Sequence, residues 1–138
     1  MKTNAQATIY NKAIDSITRS EVYFRTVLSE VYWENRRAVN KLSSGGDLAA
    51  DKVLVLIPMA LGENHLAPLA WQALEDKSGK WTLQTGDLIV RGAVLDEITG
   101  EFTVSDLKRK YDDVLAIKSV DRMDTGSARV RHWQVGAA

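Results

Sequence analysis

Residues 22–33, VYFRTVLSEVYW, decide how the rest of the chain is read. Val, Tyr, Phe, Thr and Trp crowd this stretch, and such side chains fit a pleated, half-buried surface better than a helix. The apolar positions do not keep a strict period of two, because Phe24 and Leu28 share one parity with Glu30. A bulge or bend at 28–30 lets the apolar face switch sides. A long bent strand of this kind belongs in a sheet that curls into a barrel.

Outward from it, residues 6–10 (QATIY) predict a short first strand, and the polar run 11–20 a loop. Ser43-Ser44-Gly45-Gly46 reads as the clearest flexible joint. Residues 52–57 (KVLVLI) predict a short, wholly apolar strand covered on both faces and stopped by Pro58. Residues 64–76 (NHLAPLAWQALED) have helical composition, with Pro68 suited to a first turn and a short stripe of Leu69, Ala70, Ala73 and Leu74. Residues 81–83 and 88–95 are expected to pair around Gln84-Thr85-Gly86-Asp87, with a bulge or bend at Gly92. Ser105 is the expected cap of a brief helix over 105–111, and 114–120 with 128–135 form a terminal hairpin. Six or seven strands and one or two short helices make a mainly-β domain over 1–138. The predicted fold class is a small antiparallel barrel with a longer inserted loop, 59–79, because closure removes exposed edges.

Composition narrows the function. Eighteen basic residues balance eighteen acidic ones, which removes the long-range field that nucleic-acid and anionic-membrane binders use. The absence of cysteine excludes disulfides, thiolate zinc sites and cysteine catalysis. No apolar run reaches the roughly 20 residues of a membrane span, and the first residues, MKTNAQATIYNK, carry no apolar stretch of signal-peptide length. The absence of cysteine fits a reducing cytosol or an assembly that does not rely on redox staples.

Chemistry is sought with little return. His65 beside Glu63 reads as a solvated turn rather than half a metal or acid–base pair, and His132 beside Trp133 as packing. The pairs Glu75-Asp76, Asp96-Glu97 and Asp112-Asp113 read as water-facing ends, since acid–base work needs carboxylates converging from separate elements. No phosphate loop, dinucleotide fingerprint or nucleophile elbow is present. No enzyme, cofactor or metal is therefore expected. Two basic clusters, Arg36-Arg37-Lys41 and Lys108-Arg109-Lys110, are diluted by neighbouring acids and read as solvated or subunit-contact faces. Of four tryptophans, Trp33 and Trp81 are assigned to the core, and Trp71 and Trp133 to interface anchoring. The candidate contact residues are thus Gly45, Gly46, Trp71, Arg36, Arg37 and Trp133.

Several phrases, in order along nearly the whole chain, resemble a family of small phage and prophage proteins of Gram-positive bacteria. They are Thr8-Ile9-Tyr10-Asn11-Lys12, Tyr23–Leu28, Val31-Tyr32-Trp33-Glu34, Leu54–Pro58, Thr85–Gly92, Val104–Asp113 and His132–Gly136. That family is described as minor capsid proteins at the head-to-tail connector. The opening strand, loop and long aromatic strand are also similar to head-closure or stopper proteins. The resemblance implies a structural virion protein of the neck, a ring subunit of six or twelve copies between the portal side and the tail. It implies an adaptor or portal-side connector protein and a tail terminator as partners, passing contact with packaged DNA, and no membrane. A tail terminator or tail-associated ring protein is the nearest alternative. A barrel module binding a small ligand or single-stranded nucleic acid, and a hydrolase, are the others.

Overall fold

The computed structural model describes residues 2–35, 39–41, 47–49 and 52–138. Strand β1 (Ala5–Ile14) pairs antiparallel with β2 (Glu21–Asn35). Ala7 faces Leu28 but Ala5 faces Val31, so two steps along β1 span three along β2. This is the bulge expected at 28–30. It lets Leu28, Val31 and Trp33 all face inward while Ser29 and Glu30 stay exposed.

Between β2 and β5 (Val53–Pro58), the short strands β3 (Val39–Lys41) and β4 (Asp47–Ala49) pair only with each other. Arg36, Arg37, Gly45 and Gly46 lie outside the described residues. Strands β6 (Leu88–Arg91), β7 (Val114–Met123) and β8 (His132–Ala137) complete a closed antiparallel barrel in the order β1-β2-β5-β8-β7-β6, with β6 returning to β1. The fold class read from the sequence is thus the one observed.

Val53, Val55 and Ile57 point into the barrel with Ile9, Ile89, Ile117 and Val135. Each such side chain contributes about 1.5–3 kcal/mol on burial. Leu54 and Leu56 are only half-buried, so one face of β5 is fully covered and not two.

β1 and β6 are covered on both faces: Ala7, Ile9 and Ile89 join the interior, while Tyr10 packs outside with Leu88, Val90, Val94 and Leu107. The outer cover is α2 (Val104–Lys110), whose cap is Thr103 rather than Ser105. Thr103 Oγ1 accepts from Asp106 N, and the Asp106 carboxylate accepts from Thr103 N at 2.9 Å, a reciprocal cap. Gly92, at φ 100°, bends the chain out of β6 as expected. The Thr8 hydroxyl holds the bend, donating to Gly92 O at 2.7 Å and accepting from Val94 N at 2.9 Å.

Two further expectations fail. Asn11–Ile14 belong to β1 and not to a loop. The 81–83 segment does not pair with the strand after it. Trp81 instead bridges His65 in parallel, and Trp81 and Leu83 join the interior cluster.

Candidate functional site

Asn11 has the inward parity of Ala7 and Ile9, and the chain uses its amide as a piece of strand. Nδ2 donates to Thr82 O at 2.8 Å, while Thr82 N donates to Oδ1 at 3.1 Å. This two-point contact replaces backbone pairing for a segment that has no neighbouring strand, although Thr82 Oγ1 stays buried without a partner. Asn11 Nδ2 also donates to Asp87 Oδ2 at 2.9 Å. Asp87 further accepts from Gln84 Nε2 at 2.7 Å and from Lys12 N at 3.1 Å. Burial pushes the Asp87 carboxyl above its usual range, and the three donors pull it back only in part. Lys12 O accepts from Gln72 Nε2 at 3.1 Å, which ties the next helix to β1.

That helix, α1 (Pro68–Gln72), begins with proline in its first turn as expected, but Leu69 is 87% exposed and the apolar stripe does not face the barrel. Trp71 does. It is 0% exposed, meets Phe24 edge-on at 5.7 Å and donates Nε1–H to Lys80 O at 3.2 Å. The reading of Trp71 as an interface anchor is therefore corrected: it fastens the insertion to its own barrel.

Trp133 is half-buried in a second aromatic group. His65 stacks on it at 4.2 Å and meets Trp81 edge-on at 4.8 Å, while Trp81 and Trp133 lie 5.7 Å apart. Gly62 sits against this group, since a Cβ there would fall 2.8 Å from Trp133 Cη2. Burial first, and the Arg122 charge second, lower the His65 pKa from 6.5 to about 4. Glu63, the neighbour considered as its acid–base partner, makes no hydrogen bond to it.

This imidazole sets a pH response. The unfolded chain binds a proton between pH 6.5 and about 4 that the folded chain refuses, so stability present above 6.5 is lost on acidification through that window. Allowing for residual exposure of the ring, the loss is on the order of 2 kcal/mol. Chemical denaturation from pH 7 to 4.5 is expected to show this loss in the native chain and not in His65→Phe. Parallel curves for the two would contradict it.

The remaining candidates are dispersed. Lys110 pairs with Asp96 at 3.0 Å and Arg109 with Asp106, so two cations of the second basic cluster are already matched. Asp96 also accepts from Tyr111 Oη at 2.6 Å, and these partners hold its carboxyl below the ordinary range. Glu97 binds Arg25 at 3.2 Å, and Asp76 accepts from Ser78 N at 2.9 Å. His132 Nδ1 contacts Val130 O at 2.7 Å. None of the three acidic pairs converges on another, and no group of three His, Asp or Glu among the described residues is placed to hold a metal.

What the structure does offer is a projecting hairpin. β6 pairs with β1 only over Ala7–Tyr10, and β5 with β2 only over Tyr32–Asn35, so Asn11–Phe24 extend past both neighbouring strands. A groove of about 520 Å³ flanks one face, lined by Glu21, Tyr23, Ile98 and Val104 among others. A second, of about 390 Å³, lies between the other face and the α1 region, lined by Val22, Phe24, Gln72 and Leu74. Nothing in the residue pattern announced these grooves.

No curated protein matches the chain, and no solved structure matches it. A family model described as "Family of unknown function (DUF6751)" matches residues 2–138. The chain, across all but its first residue, belongs to that family.

Proposed function

We propose that this protein is a structural subunit of a tailed-phage or prophage neck, a head-closure or stopper ring component, with no catalytic role. The observation that carries the reading is a small closed barrel with β3–β4 set apart from it between β2 and β5. Barrels leave few edges to mispair, so contacts with neighbours fall to segments that stand off the wall. The resemblance of the ordered phrases to phage connector proteins supports the same reading. So do the polar and aromatic groups already described: each is used within the chain as a fastening. The alternative of a tail terminator uses the same ring architecture. Ring copy number, the adaptor and terminator partners, and residence in the virion belong to the proposal. Among the described residues no helix is long and apolar enough to cross a membrane.

The test is assembly. Deleting residues 43–47 removes most of the link between β3 and β4 together with Asp47, the first residue of β4, without touching any barrel strand. Particles made with this variant are expected to carry filled heads without tails, while the purified variant keeps a native circular dichroism spectrum. Normal tailed virions would remove the assembly role.

A further inference from the structure

The two edges of the projecting hairpin are treated differently. On the β1 side the backbone is closed by side chains: Lys12 N donates to Asp87, and Lys12 O accepts from Gln72 and Gln84. On the β2 side, from Glu21 to Glu30, no strand pairs with the outer edge among the described residues. An open edge is a template for another strand unless charges, bulges or cover blunt it. Here the bulge at 28–30, which carries Glu30, ends the regular part of the run, and Glu21 and Arg25 are the charges along Glu21–Val27.

We infer that this open β2 edge pairs with the same edge of a second copy, antiparallel about a two-fold axis at Tyr23. An isologous contact sets each residue against its mirror in the sequence, and directly opposed residues share a sheet face. About Tyr23, Glu21 of each copy stands opposite Arg25 of the other, Val22 opposite Phe24, and Tyr23 opposite itself. Centring on Glu21 or Arg25 would oppose like charges, and centring on Val22 or Phe24 would leave both charges without an opposite. Only the Tyr23 register matches them.

The side chains available suit that register. Arg25 is already paired with Glu97 at 3.2 Å and donates to Val94 O at 2.9 Å, so its guanidinium is fixed in place and would share its charge between Glu97 and the incoming Glu21. Glu21 is held only by a 3.7 Å contact to Lys12, and its side chain is 59% exposed. The pairing also fills both grooves. Tyr23 lines the larger and Phe24 the smaller, and the incoming strand adds its own alternating side chains to each. The contact lies at the start of β2, whereas β3 and β4 follow its far end in the chain. It stands whether or not the neck reading does, because it is read on the purified chain alone.

Sedimentation velocity over a concentration series is expected to show monomer and dimer in exchange. Glu21→Arg or Arg25→Glu alone should weaken the dimer about tenfold by opposing like charges, and the double exchange should restore it. The chain has no cysteine, so Tyr23→Cys should form a disulfide across the axis on mild oxidation, and Ile14→Cys should not. Circular dichroism confirms the fold of each variant. A monomer at every concentration, single exchanges without effect, or a dimer that Tyr23→Cys fails to link would each overturn the inference.

Discussion

Replacing Trp71 by Ala is expected to lower stability by about 3–5 kcal/mol, the range for a fully buried large aromatic. Three contacts disappear together: the edge-on packing against Phe24, the Nε1–H bond to Lys80 O, and the Lys77 ammonium 5.4 Å above the ring. The Lys80 carbonyl then loses its partner, and the indole's volume becomes a cavity between the insertion and the hairpin. Because unfolding entropy scales with chain length, the midpoint should fall by on the order of 10 °C. Trp71→Phe, which keeps a ring but drops the donor, is expected to lose about 1–2 kcal/mol. Leu69→Ala, two residues away and mostly exposed, should stay within about 0.5 kcal/mol of the native chain. Thermal and denaturant unfolding of the three variants measures this order. An exposed anchor would leave the fold intact, so an unchanged Trp71→Ala midpoint would return that residue to the surface.

The misreading of Trp71 shows where sequence pattern stops. The bent aromatic strand was legible because β-branched and aromatic residues, a parity break and two exposed polar residues at 29–30 all reported the same local geometry. The stop at Pro58 and the helix start at Pro68 were legible for the same reason: proline acts on its own backbone. Trp71 is different. Its neighbours are polar or small, and what buries it is Phe24, 47 positions earlier in the chain and joined only by the fold. Likewise the run from Asn11 looked like a loop because asparagine and lysine disfavour strands. In the folded chain Asn11 is a strand residue chosen for its amide, which serves a distant segment. The cap at Thr103 was within reach, since Thr103 and Asp106 keep the capping-box spacing, with Asp in place of Glu. The open β2 edge was not, because strand ends are set by which neighbours stop pairing and not by any residue on the edge itself.

Asp87→Asn is expected to lower stability by about 2–4 kcal/mol, although the two side chains have the same shape. The carboxylate is the common acceptor for Asn11 Nδ2, Gln84 Nε2 and Lys12 N, and it offers them two oxygens. An amide offers one oxygen, and its NH₂ must face at least one of these donors. A buried donor facing a donor is worse than no contact, because neither regains water. The pH dependence carries the opposite sign to that of His65. Burial raises the folded Asp87 pKa, so its contribution is fully present below the unfolded carboxyl range and declines as pH rises through the raised value. The native chain should therefore lose part of its lead over Asp87→Asn on going from acid to neutral pH, yet remain the more stable of the two. Coupling provides the sharper measurement. Asn11→Ala removes the clamp on Thr82 and one donor to Asp87, so it and Asp87→Asn dismantle the same knot. The double variant should fall short of the summed single losses by more than about 1 kcal/mol, as for residues in one hydrogen-bond network. Strict additivity would mean that the clamp on Thr82 and the carboxylate at Asp87 hold the barrel independently.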